Sequence, residues 1–115
     1  MTVTVYHNPR CSKSRATLQL LEAKGVKPKV VEYLKTPPSV AELKAILKKL
    51  GLKPRDLIRK SEPLYAELGL KDRQLSDAQL IAVMVENPIL IERPIIVSGG
   101  KAAIGRPPEK VLEIL

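Results

Sequence analysis

Val3-Thr4-Val5-Tyr6-His7-Asn8-Pro9-Arg10-Cys11-Ser12-Lys13-Ser14-Arg15 is the stretch on which the fold turns. Val3 and Val5 alternate with Thr2, Thr4 and Tyr6, the period-two pattern of a half-buried strand, and Asn8-Pro9 ends it. Residues 12–24 then hold no Pro or Gly. Leu18 and Leu21 stand three apart with Ala16 and Ala23 nearby, and Gly25 falls where a left-handed cap belongs, so the segment predicts a helix. Val30, Val31 and Tyr33 mark a second strand over 29–33. A strand, helix, strand unit of this length makes the two strands parallel, with a right-handed crossover.

Outward from this unit, Pro37-Pro38 breaks the chain, and Ser39 with Glu42 forms a capping-box signature. Val40, Leu43, Ile46, Leu47 and Leu50 follow at the spacing of an amphipathic helix ending at Gly51. Short helical pieces are expected around 57–58 and 64–68. Ser76 and Gln79 repeat the capping box, Leu75 and Leu80 can close it as a hydrophobic staple, and the helix stops before Asn87-Pro88. Residues 89–91 and 95–97 are β-branched runs of strand type, Gly99-Gly100 signals a turn, and 102–104 return as a hairpin partner. Pro107-Pro108-Glu109 opens a terminal helix carrying Val111, Leu112 and Leu115. This order resembles a thioredoxin-like α/β fold, a mixed β-sheet flanked by helices, with a helical insertion after the second strand. The expectation is one domain over 1–115, with the insertion at about 39–86.

Composition narrows the function. The 115 residues include 20 Lys plus Arg against 12 Asp plus Glu, a formal net charge of +8, and 44% are apolar, as in a folded globular chain. Phe and Trp are absent, so the core is aliphatic. Three Tyr are too few for the stacking platforms of single-stranded nucleic-acid binders. No stretch approaches the roughly 20 apolar residues of a membrane span, and the N-terminal residues lack a basic segment followed by a long apolar one, which predicts a cytoplasmic protein that needs no membrane. Cys11 is the one cysteine. It excludes an internal disulfide and any metal site built from several thiolates, and no metal or bound cofactor is expected.

At a strand-to-helix junction, the Cys11 thiol sits at the positive end of the helix dipole among free backbone N–H groups, in reach of His7, Arg10, Ser14 and Arg15. Each favours the thiolate, and the same N–H groups suit an anion. Arg59 follows Leu57-Ile58 in the insertion, while Arg93 and Arg106 each precede a proline. A residue before proline is biased to extended backbone, which frees both guanidinium groups to reach a shared anion, and their forks suit tetrahedral oxyanions.

Tyr6 to Arg15 (Tyr-His-Asn-Pro-Arg-Cys-Ser-Lys-Ser-Arg) resembles the active-site segment of the glutaredoxin-coupled arsenate reductase (ArsC) family. So do Leu57-Ile58-Arg59-Lys60, Asn87-Pro88-Ile89-Leu90-Ile91-Glu92-Arg93-Pro94-Ile95 and Gly105-Arg106-Pro107-Pro108-Glu109-Lys110-Val111-Leu112. The resemblance implies a short member of that family. It makes Cys11 the nucleophile, with His7 and Ser14 helping to hold its thiolate, and Arg59, Arg93 and Arg106 the oxyanion binders. It also implies a cis peptide bond before Pro94. The expected function is reduction of arsenate to arsenite, with glutathione as co-substrate and glutaredoxin as the partner that resolves the mixed disulfide.

Two other functions fit parts of the sequence. A glutathione-dependent thiol oxidoreductase would use Cys11 alone. An Spx-like regulator that binds RNA polymerase would use the basic insertion, where seven cations lie between Lys44 and Lys60 against the single acid Asp56. Against the regulator, the second thiol of a Cys-x-x-Cys switch is replaced by Ser14. Lys44 and Lys48 also fall opposite Leu43 and Leu47, on a solvated helix face, so nucleic acid is not an expected partner.

Overall fold

The alternation at the N-terminus is realised as strand β1, Val3–His7, whose residues 3, 5 and 7 are buried while 4 and 6 are partly covered. The computed structural model describes residues 2–115. The chain forms two compact units, the residues up to Thr36 together with Arg93–Leu115, and Pro37–Glu92.

In the first unit, helix α1 (Ser12–Ala23) leads to β2 (Lys29–Glu32), and β3 (Ile95–Ser98) and β4 (Lys101–Ile104) form the hairpin. Gly25, at a φ of 76°, lets the chain leave α1, since only glycine adopts that backbone without a Cβ penalty. The four strands lie in the order β2-β1-β3-β4. β1 is parallel to β2, as the crossover predicts, and antiparallel to β3, which is antiparallel to β4. Val5 pairs with Ile96 and so shares its face. Val3, Val5, Leu21, Ile96 and Val111 make the core of that face, with Leu18, Leu20, Val26 and Ile114 packed against it. Helix α1 and the C-terminal segment therefore cover the same side of the sheet. Each fully buried aliphatic side chain there contributes about 1.5–3 kcal/mol.

The C-terminal segment corrects the expectation of an α-helix, because Pro108–Ile114 is a 3₁₀ helix. In that geometry residues three apart eclipse. Val111 and Ile114 thereby fall on one side, and both reach the core.

The second unit holds α2 (Val40–Leu50), α3 (Pro54–Leu57), α4 (Pro63–Glu67) and α5 (Asp77–Glu86). Both expected capping boxes form, Ser39 with Glu42 and Ser76 with Gln79, and Gly51 closes α2 at a φ of 69°. Leu43, Ile46 and Leu47 of α2 and Leu80, Ile81 and Met84 of α5 are buried. Residues 89–91, read as strand, instead enter a 3₁₀ turn, Pro88–Leu90. Pro88 fixes φ near the helical value and has no N–H for a ladder, so the β-branched content does not decide the backbone. Ile91 alone makes a bridge, antiparallel to Ile58. The bridge is flanked by Arg59 N–H to the Leu90 carbonyl at 2.7 Å and Glu92 N–H to the Leu57 carbonyl at 2.9 Å.

Candidate active site

Between β1 and α1 the chain must reverse within four residues, and Asn8 organises the turn. The Cys11 N–H donates to the Asn8 carbonyl at 3.0 Å. The Arg10 N–H donates to Asn8 Oδ1 at 3.0 Å, an Asx turn with Pro9 supplying the preset φ. Cys11 thereby becomes the N-cap of α1 in extended conformation, φ −92° and ψ 123°, and the residue is 9% exposed.

His7, on the face of β1 that α1 covers, is 7% exposed, and Ser14 on the first turn of α1 is fully buried. Ser14 Oγ accepts the Asn8 N–H at 3.0 Å and lies 2.7 Å from His7 Nδ1. Burial holds His7 below its usual pKa, with Glu32 raising it and Arg15 lowering it, so the ring is neutral at pH 7. The trio is satisfied when the hydroxyl proton points at Nδ1 and the imidazole keeps its own proton on Nε2.

Around the sulfur, opposing influences have a clear net direction. Burial pushes the thiol up, but the Ser14 amide, the Arg93 guanidinium and the Lys13 amide together bring it below its ordinary value. The two amides are those of a helix N-terminus, though neither closes a full cap hydrogen bond to sulfur. Arg106 adds a second guanidinium, its Nη2 3.5 Å from Cys11 Sγ. Arg106 Nε donates to the Arg93 carbonyl at 2.7 Å, so one arginine braces the other's backbone. The Arg93–Pro94 peptide bond is cis, and so is Arg106–Pro107.

Gly105 makes this bracing possible. Its N–H donates to the Pro94 carbonyl at 2.9 Å, and a Cβ at 105 would stand 2.5 Å from Thr17 Oγ1 and 2.8 Å from Pro94 Cγ. Neither Gly105 nor Asn8 emerges as a site residue from the sequence alone. The Asn8-Pro9 pair carries an Asx-turn signal that finds Asn8, whereas nothing local marks the close approach at Gly105.

The first unit thus brings Cys11, His7, Ser14, Arg93 and Arg106 together. Arg59 belongs to the second unit, where its side chain is 17% exposed and Nη1 meets Glu92 Oε1 at 2.9 Å. Its Nε lies 3.8 Å from Glu62 Oε2. Two carboxylates thus compensate its charge, a feature the local motif does not announce.

A thiol held below its ordinary pKa, with two guanidinium groups beside it, has the chemistry to approach an anionic centre. Several proteins of related sequence are named arsenate reductases. The arsenate reductase of Haemophilus influenzae is 53% identical, covering 100% of both chains. The uncharacterized protein YfgD of Escherichia coli (strain K12) is 59% identical over 98% of this chain and 96% of its own. The solved structure of an arsenate reductase from Vibrio cholerae matches with a TM-score of 0.98 at 59% identity, covering 100% of this chain and 98% of that one. With its residues 6–114 matching the model of the ArsC family, and with relatives of this identity along its whole length, the chain belongs to the ArsC family.

Proposed function

We propose that the protein reduces arsenate to arsenite, with Cys11 as nucleophile and glutathione as the second thiol. The observation that carries the reading is the Cys11 sulfur itself, drawn below its usual pKa with the Arg106 guanidinium 3.5 Å away. The family membership and the names of the full-length relatives support it.

In the first step the Cys11 thiolate attacks arsenic(V). An S–As bond forms, and one arsenate oxygen takes up protons and leaves as water. Arg93 and Arg106 offset the oxyanion charge, which has to be neutralised for a thiolate to approach it at all. Arg59 is a third oxyanion-binding candidate on its sequence motif. Glutathione then attacks the Cys11 sulfur; the S–S bond forms, the S–As bond breaks, and its electron pair stays on arsenic, which departs as arsenite. Two thiols have each given one electron. Cys11 is left as a mixed disulfide, and a glutaredoxin returns it to the thiol. Because the chain has one cysteine, no internal disulfide can do this work. The cytoplasm, where glutathione keeps thiols reduced, is the compartment that suits the cycle.

His7 and Ser14 act as positioning residues in this scheme. They tie the end of β1 to the first turn of α1 and so hold the loop that carries Cys11. The test is arsenate-dependent NADPH oxidation coupled through glutathione reductase, with glutathione and glutaredoxin supplied. Wild type is expected to exceed the background set by Cys11→Ser; equal rates overturn the reading. The engagement of Arg59 by Glu62 and Glu92 favours a second reading, a glutathione-dependent thiol oxidoreductase with no arsenate turnover. NADPH consumption with hydroxyethyl disulfide and glutathione, without added glutaredoxin and above that of Cys11→Ser, together with none for arsenate in the full assay, would decide for it.

A further inference from the structure

Beside the Cys11 loop, on the β2 side of β1, a groove of about 330 Å³ is lined by His7, Asn8, Pro9, Arg10, Glu32, Leu34 and Lys35, within the range of roughly 300–1,000 Å³ usual for small-ligand sites. All seven residues belong to the first unit. Its chemistry is mixed in a particular way. Arg10 and Lys35 offer two cations, Glu32 one anion, and Leu34 and Pro9 an apolar surface, with Leu34 37% exposed. Glu32 stands beside His7 in the parallel β1–β2 register, so the acid lies at the strand edge while both cations lie on the loops that follow the strands. Lys35 and Glu32 approach only to 3.7 Å, with side chains 78% and 43% exposed, and a pair so open to water contributes little. Each is free to exchange its partner for a ligand group of the same charge.

From this pattern we infer that the groove is the docking site for glutathione, the γ-glutamyl tripeptide thiol, an inference that rests on the proposed arsenate cycle for the ligand's identity. Glutathione carries two carboxylates and one ammonium, the complement of two cations and one anion. Arg10 and Lys35 take the carboxylates, Glu32 takes the ammonium, and the peptide stem lies on Leu34 and Pro9. Arg10 directly precedes Cys11, and the Asn8 carbonyl that lines the same loop holds the Cys11 N–H at 3.0 Å. A ligand seated there lies along the loop that presents the nucleophile, so docking also serves orientation, which lowers the entropic cost of bringing the second thiol to the site. Nothing in the oxyanion chemistry uses Glu32, Leu34 or Lys35, so the groove is an addition to the arginine cluster and not part of it.

The experiment is a titration of the full chain with S-methylglutathione, whose blocked sulfur cannot react, followed by amide chemical shifts. The expected result is saturable shifts concentrated at residues 7–10 and 32–35, and a dissociation constant raised tenfold or more by Lys35→Glu but not by Lys44→Glu, a reversal of equal charge on α2. In the coupled assay Lys35→Glu is expected to raise the apparent KM for glutathione by a similar factor. Shifts concentrated elsewhere, no saturable binding, or equal effects of the two charge reversals overturn the docking site. The titration contains no arsenate, so the two readings fail separately. Binding in the groove without arsenate turnover sinks the reductase and leaves the site, whereas turnover without binding there sinks the site alone.

Discussion

Ser14 has one hydroxyl and two buried neighbours that use it. Its oxygen satisfies the Asn8 N–H and meets His7 Nδ1, and both partners are more than nine-tenths buried. Removing a shared partner strands polar groups that water cannot reach, at a cost of about 1–3 kcal/mol each. With two groups stranded, Ser14→Ala is therefore expected to lower stability by about 2–6 kcal/mol, read as a fall in the urea midpoint at unchanged slope, and Ser14→Thr, which keeps the hydroxyl, should recover part of the loss. The sulfur gives a prediction of its own. Because Cys11 lies below its ordinary pKa, its rate of alkylation by iodoacetamide should rise with pH through a midpoint below that of free cysteine measured under the same conditions. Arg93→Gln, which removes a hydrogen bond and a charge that both favour the thiolate, should move that midpoint up; an unchanged midpoint would show that Arg93 does not act on the sulfur. The sign for stability agrees. Between the folded and unfolded thiol pKa values only the unfolded chain still holds the proton, so this group makes the fold more stable as pH rises through that window and less stable as it falls.

At the level of elements, the β4 turn is held where α1 and the cis-proline loop leave no room for a side chain. Alanine at 105 would put its Cβ against Thr17 Oγ1, already bonded to the Lys13 carbonyl at 2.9 Å, and against the Pro94 ring. Relief requires α1 and the Pro94 loop to part, which displaces Arg93 and Arg106 together. Gly105→Ala is expected to cost about 1–3 kcal/mol, as overpacking does, and to slow Cys11 alkylation at neutral pH. Gly100→Ala, at a position with open space around its Cβ, should leave both unchanged. The same contrast shows what the sequence makes legible. Features written in adjacent residues could be read. The capping boxes at Ser39 and Ser76 depend on a side chain and an amide three residues apart, and the β1, α1, β2 unit on local periodicity. Residues 89–91 read as strand and 108–114 as helix, but Pro88 and the register of Val111 with Ile114 choose 3₁₀ geometry in both. Contacts that span the chain left no local mark. The Arg106 bond to the Arg93 carbonyl crosses 13 residues, and the carboxylate that meets Arg59 lies 33 residues away.

Across the whole molecule, a formal charge of +8 acts on any anion approaching Cys11, and two contributions to that attraction can be separated by salt. Charges distributed over the surface act at long range and are screened beyond about 10 Å at 0.1 M ionic strength. Arg93 and Arg106 act at contact, where screening is weak. Iodoacetate and iodoacetamide differ by one negative charge and alkylate the same thiolate, so the ratio of their rates, divided by the ratio for free cysteine, isolates the protein's preference for an anion. That preference should exceed one at low salt and fall as salt is added. It should settle on a plateau still above one, because two guanidinium groups beside the sulfur remain. In Arg106→Gln the plateau should drop while the salt-dependent part changes by little, since one charge of a net +8 is lost from the distributed field but half of the pair at contact. A preference that salt abolishes entirely would mean that the arginines do not face an anion bound for the sulfur, and the oxyanion role assigned to them would go with it.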